Sequence, residues 1–137
     1  AWQVREITAA HAASTYWDDI LFLGYLPEEM AAQLMASALA LTYLSFFEGF
    51  GLPVLEALCT NTPVITSNTS SLPEVAGDAA LLVDPDQVED IAGAMLRIWS
   101  EPDLREDLVK KGQIQRQQFS WDKAATDIYT ILQAVKK

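Results

Sequence analysis

Nine consecutive residues, Glu48-Gly49-Phe50-Gly51-Leu52-Pro53-Val54-Leu55-Glu56, constrain this chain more than any other stretch. An apolar run over residues 38–44 precedes them, so the chain must leave a buried segment, turn sharply and start a helix. Gly49 and Gly51 permit positive φ and let the backbone approach a ligand with no Cβ in the way. Pro53 fits the first turn of a helix, where its missing N–H is not needed. The unused N–H groups of that turn, with the positive end of the helix dipole, form an anion site. Glu48 stands just before the turn and Glu56 about one turn inside the helix, both able to reach polar groups of whatever the amides hold. Taken singly, each glutamate reads as a solvated side chain and Phe50, Leu52, Val54 and Leu55 as apolar filler. Taken together, the string describes a ligand site better than a core.

The rest of the chain alternates short apolar runs with capped helices. Residues 2–17 predict a loose helix that loses its pattern at Tyr16-Trp17-Asp18-Asp19, and residues 20–24 predict a buried strand ending at Gly24. Pro27-Glu28-Glu29 opens a helix to about residue 37. Residues 38–44 predict a second buried strand, though their alanines would also suit a helix, and the helix of the nine-residue string runs to about Cys59. Val64-Ile65-Thr66 and residues 80–83 are further strands. Ser71-Leu72-Pro73-Glu74 reads as a capping box, with Glu74 as capping residue, before a short helix ending near Gly77. Asp86 with Glu89 reads as another cap, before a helix whose inward face carries Val88, Ile91, Ala92, Met95 and Trp99. Pro102 starts a helix with Leu104 and Leu108 inward. Ser120 caps a last helix carrying Trp121, Ala125, Ile128, Leu132 and Val135. Strands alternating with helices predict a single α/β domain over residues 1–137, with a parallel sheet of about four strands and a helical C-terminus. Ligands of such sheets bind outside the carboxyl ends of the strands, where the nine-residue string begins.

Composition removes several function classes. The net charge is −10, and from residue 6 to residue 96 there is no lysine or arginine against 13 Asp and Glu. Nucleic-acid and anionic-membrane binding need basic clusters, so neither is expected. No apolar run reaches the ~18 residues that span a bilayer, and the first residues do not read as a signal peptide. The single cysteine, Cys59, precludes an internal disulfide and fits a reducing, cytoplasmic compartment; it reads as packing rather than nucleophile. His11 reads as structural or exposed. No cluster suggests a metal, and no cofactor is expected.

From about Leu21 to Trp121 the sequence resembles the C-terminal half of retaining GT-B glycosyltransferases, in the family that includes sucrose synthases and many bacterial mannosyl- and glucosyltransferases. The likeness rests on Phe22 through Pro27, Glu48 through Glu56, Thr62 through Ile65, Ser71 through Val75, Ala80 through Pro85 and Phe119-Ser120-Trp121, in that order and spacing. Residues 1–19 form a helical segment outside it. The resemblance implies a Rossmann-like, truncated GT-B C-terminal domain that binds a nucleotide-sugar donor without a metal. It implies that Glu48 contacts donor-sugar hydroxyls near the reaction centre. Gly49, Phe50 and Gly51 would hold that sugar through amides, with Leu52 and Pro53 placing the helix start under the diphosphate. It further implies that Glu56 accepts from the ribose hydroxyls and that Gly24, Tyr25 and Leu26 border the nucleobase. Tyr25 fits equally well as a cover for the strand end.

The same resemblance marks what is not here. The family's diphosphate clamp, an arginine and a lysine from the opening βαβ of this domain, has no match. The N-terminal half that carries the acceptor pocket is also absent, so the chain is expected to be a fragment of a larger enzyme and inactive alone. In the family's sheet the strand matching residues 20–24 is separated from the others by two strands missing here. Preceding residues could fill the gap, the strand could move beside residues 38–44, or another chain could pair with it, giving self-association. The competing function is a non-catalytic binding or assembly module that has lost the phosphate cations. A flavodoxin-like regulatory domain is disfavoured, because no acidic phospho-acceptor cluster sits at the strand ends.

Overall fold

A computed structural model describes residues 4–135. Three parallel strands form one sheet in the order β1-β2-β3: β1 Leu41–Tyr43, β2 Val64–Ser67 and β3 Ala80–Val83. Among the described residues seven α-helices accompany it. α1 (Val4–Ala13) and α2 (Glu28–Ser37) precede β1. α3 (Leu52–Cys59) joins β1 to β2, and α4 (Leu72–Ala76) joins β2 to β3. α5 (Val88–Ser100), α6 (Pro102–Gln115) and α7 (Trp121–Val135) follow. The α/β class, the parallel sheet and the helical C-terminus are those expected from the sequence. The first two positions of the predicted N-terminal helix lie outside the described residues.

β2 is central and buried along its length, and its period-2 alternation divides the core in two. Val64 packs with Val54, Ala57 and Leu58 of α3 and Leu72, Val75 and Ala76 of α4 on one face. Ile65 packs with Val83 of β3, Ala94 and Ile98 of α5 and Leu108 of α6 on the other. Each such aliphatic side chain, fully buried, contributes about 1.5–3 kcal/mol. Two arginines fasten helix ends across this core. Arg105 donates to the carbonyls of Ile98 and Trp99 at the end of α5, and Arg116 to those of Leu58 and Cys59 at the end of α3.

Several sequence expectations need correction. Residues 20–24 form no strand, so the sheet has three strands rather than about four. An apolar run becomes a strand only if a neighbour takes its backbone groups, and no paired strand stands beside it. Leu21 is instead 74% exposed. This segment is tied to α1: His11 Nε2–H donates to the carbonyls of Trp17 and Ile20, and its ring meets Phe22 edge-on at 4.9 Å. β1 is shorter than the apolar run predicts. The inward face of α5 is set by Ile91, Ala94 and Ile98, whereas Val88, Met95 and Trp99 are exposed. Cys59 is exposed rather than packed.

The capping predictions divide. Ser120 does cap α7, accepting from the Lys123 N–H at 3.1 Å. Ser71, Glu74 and the Asp86–Glu89 pair do not cap: neither α4 nor α5 has a side-chain cap bond. Ser71 spends its hydroxyl on carbonyls of the nine-residue loop, and Asp84 Oδ1 takes the Asp86 N–H in a local turn. α7 forms where expected, with Trp121, Ile128, Leu132 and Val135 all exposed.

Candidate functional site

The nine-residue string leaves the carboxyl end of β1 and opens α3, as the sequence requires. Gly51 is the N-cap of α3 in a left-handed conformation, φ 104° and ψ 45°. A Cβ there would lie 2.7 Å from Leu72 Cδ2, so Gly51 meets both needs, positive φ and close approach. Gly49 meets neither: its φ is not positive and no atom lies within 4 Å of the position a Cβ would take. Pro53 lies in the first turn. The Gly51 carbonyl accepts from Val54 and Leu55, while the amides of Phe50, Gly51 and Leu52 have no acceptor among the described residues. Those amides are the donors of the candidate anion site. The Phe50 ring is committed elsewhere, edge-on to Phe119 at 5.8 Å.

Glu48 is held by residues that sequence reasoning did not single out. Its Oε1 accepts from Tyr43 Oη at 2.6 Å and from Ser45 Oγ at 2.8 Å. These two donors, Tyr43 first, hold the Glu48 carboxyl below the usual carboxylate range. The same bond, with burial and the negative charge of Glu48, pushes the Tyr43 phenol up. Glu48 is therefore an ionised acceptor at neutral pH, fixed in direction. Its N–H donates to Ser70 Oγ at 3.1 Å.

The β2–α4 loop grips the string with hydroxyls. Ser67 Oγ accepts the Ser45 N–H at 2.9 Å, and Thr69 Oγ1 donates to the carbonyls of Ser45 and Phe46. Ser71 Oγ donates to the carbonyls of Glu48 and Phe50 at 2.9 and 2.8 Å. Ser70 is held at φ 53°, an uncommon conformation for a residue with a Cβ, at the point where it meets Glu48. The only sequence signal for this clamp was the run Ser67-Asn68-Thr69-Ser70-Ser71 at the carboxyl end of a strand.

The remaining candidates are less tightly gathered. Glu56 lies on α3, exposed, with a side chain that makes no hydrogen bond among the described residues. Leu52 is exposed and Pro53 half-buried. Gly24 has φ 65°, Tyr25 is 95% exposed and Leu26 is half-buried. Among the described residues no hydrogen bond joins this segment to the string. Arg97 pairs with Glu101, and Arg105 and Arg116 are spent on helix ends. No group of three or more potential metal ligands occurs among the described residues. A cleft of about 340 Å³ at the carboxyl ends of β2 and β3 is lined by Asn68, Asp84, Glu89, Asp90 and Arg97, and includes neither Glu48 nor Glu56. No described helix is long and apolar enough to cross a membrane.

Fold and string together define a GT-B glycosyltransferase C-terminal domain, and known proteins agree. The family described as glycosyl transferases group 1 matches residues 5–115, and the chain belongs to that family. It is 45% identical over 107 residues to the O-antigen chain mannosyltransferase B of Escherichia coli, covering 78% of this chain and 28% of that protein. It is 34% identical over 112 residues to the MMP alpha-(1->4)-mannosyltransferase of Mycolicibacterium hassiacum, covering 79% and 27%. Among solved structures, the sucrose-phosphate synthase of Thermosynechococcus elongatus superposes with a TM-score of 0.82 at 27% identity, over 96% of this chain and 34% of that one. The chain thus spans about a quarter to a third of the length of these relatives.

Proposed function

We propose that this chain is the donor-binding half of a retaining glycosyltransferase that moves a hexosyl group from a nucleotide-activated sugar to an acceptor. The observation that carries the reading is the Glu48 carboxylate, fixed by Tyr43 and Ser45 beside a helix start whose amides have no acceptor among the described residues. A carboxylate that accepts two hydroxyls makes charge-assisted bonds and selects a sugar by geometry. Glu48 takes the donor-sugar hydroxyls. Gly49, Phe50 and Gly51 hold the sugar through backbone amides, and Leu52 and Pro53 present the α3 start to the diphosphate. Negative charge grows on that diphosphate as the glycosidic bond breaks, and the helix start stabilises it by about 0.3–1 kcal/mol. Glu56 accepts from the ribose, and Gly24, Tyr25 and Leu26 border the base. No metal or cofactor has a part in this scheme, and retention follows from the likeness to retaining GT-B enzymes. The relatives named as mannosyltransferases favour a mannosyl donor.

The diphosphate needs more than a helix end, and Arg97, Arg105, Lys110, Lys111, Arg116 and Lys123 are engaged elsewhere. The remaining contacts are assigned to a partner domain of the same enzyme. The exposed area supports this: 10159 Å² for a 15.1 kDa chain, where a compact monomer exposes about 7,100 Å². The full-length protein should lose most transfer activity on Glu48→Ala or Glu56→Ala, and undiminished turnover by both variants refutes the site. The absence of lysine and arginine from residues 6–96 favours a second reading, a non-catalytic module that kept the scaffold. Calorimetry with uridine, guanosine and adenosine diphosphates and their sugars separates the two. Saturable binding supports the transferase, and silence at millimolar ligand supports the module.

A further inference from the structure

Oε1 of Glu48 already accepts two hydrogen bonds, from Tyr43 and Ser45, which fills its two lone pairs. Oε2 accepts from nothing among the described residues. The two donors are themselves anchored in the core. Thr66 Oγ1 donates to the Tyr43 carbonyl at 2.8 Å, and Ser67 Oγ accepts the Ser45 N–H at 2.9 Å. Thr66 and Ser67 are both 0% exposed, so the anchor points are fixed by the packed interior of β2. A buried hydroxyl pair thus holds the end of β1 and the residues just after it, and Tyr43 and Ser45 there hold one carboxylate oxygen. Ser70 adds a third constraint at the Glu48 N–H, in a backbone conformation that costs energy to maintain.

On the donor-site reading above, we infer that Tyr43 and Ser45 are positioning residues that saturate one oxygen of Glu48 and reserve the other for the donor sugar. The arrangement makes Glu48 a single-oxygen acceptor of defined direction. A carboxylate free to rotate would present either oxygen and lose entropy on binding; this one has already lost it. The role belongs to sugar recognition, not to the nucleoside diphosphate, because neither side chain faces the α3 amides through any hydrogen bond.

That separation supplies the test. Calorimetry on the full-length protein would use GDP-mannose, UDP-glucose and ADP-glucose as probes, each beside its nucleoside diphosphate, with melting curves for every variant. Tyr43→Phe and Ser45→Ala should each weaken the bound nucleotide sugar by about tenfold or more while leaving diphosphate affinity within about twofold, as expected for loss of a bond to a charged group. Equal loss for sugar nucleotide and diphosphate would mean general loosening of the loop and overturns the inference. Unchanged affinity for both in the two variants overturns it as well. Glu48→Gln distinguishes the layers. If it abolishes sugar-dependent affinity while Tyr43→Phe and Ser45→Ala do not, only the positioning role fails; if it has no effect, the donor site itself fails, and the positioning role with it.

Discussion

Gly49 and Gly51 stand two residues apart in one loop, and the structure predicts opposite fates for them. Gly51→Ala places a methyl at φ 104°, a strain of about 1–3 kcal/mol for a residue with a Cβ. The new Cβ would also sit 2.7 Å from Leu72 Cδ2. Leu72 is 0% exposed and packed by Val54, Val75 and Ala76, so it cannot swing clear. Overpacking of this kind adds about 1–3 kcal/mol, giving a loss of about 2–6 kcal/mol in total. Gly49→Ala meets no atom and no forbidden φ. Restricting the unfolded chain there should leave the protein neutral or up to about 1 kcal/mol more stable. Urea denaturation followed by far-ultraviolet circular dichroism measures both, provided the slope with denaturant is the same in each variant. Equal destabilisation by the two alanines, or no loss at Gly51, would refute the assignment of the turn to Gly51.

Three further outcomes follow from particular contacts. The depressed carboxyl of Glu48 and the raised phenol of Tyr43 define a pH window for their bond. Its stabilisation is fully present above the unfolded carboxylate pKa and lost as pH falls through the lower folded value; at the alkaline end it is present below the unfolded tyrosine pKa and lost as pH rises through the higher folded one. Carboxyl-carbon NMR titration should therefore find Glu48 below an ordinary glutamate, and Tyr43→Phe should return it upward; an unshifted Glu48 contradicts the network. Ser120→Ala removes the N-cap of α7 and should lower helical content near residue 121, by about 1 kcal/mol in local opening measured by hydrogen exchange. Lys110→Ala breaks an exposed i,i+4 pair with Glu106 and should change stability by less than about 0.5 kcal/mol in thermal melts.

What the sequence made legible was local. Gly51 followed by Pro53 specifies a left-handed N-cap and a helix start within three residues, and α3 begins there. β2 was equally readable, since Val64-Ile65-Thr66 is β-branched and bounded by a turn. Residues 20–24 share that apolar character, but strand formation depends on a neighbour that the segment cannot encode. Ser71 illustrates a different limit. Its spacing to Glu74 matches a capping box, yet carbonyls 21 and 23 residues away compete for the same hydroxyl and win. The donors to Glu48 are only five and three residues away, but what fixes them was hidden for the same reason, because the Ser45–Ser67 and Glu48–Ser70 contacts cross 22 residues. For α5, two stripes offset by one position both satisfy helical spacing, and only contact with the sheet selects Ile91, Ala94 and Ile98. The two glutamates were visible at once; the hydroxyls that aim one of them were not.

On the proposed donor site, the stretch from Glu48 to Glu56 holds a nucleotide sugar. A structure of the full-length protein with a nucleotide sugar bound tests it directly. A sugar hydroxyl is expected about 2.5–3.0 Å from Glu48 Oε2, with Tyr43 and Ser45 still on Oε1 and a ribose hydroxyl on Glu56. A ligand seated instead in the cleft lined by Asn68, Asp84, Glu89 and Arg97, with Glu48 untouched, would contradict it.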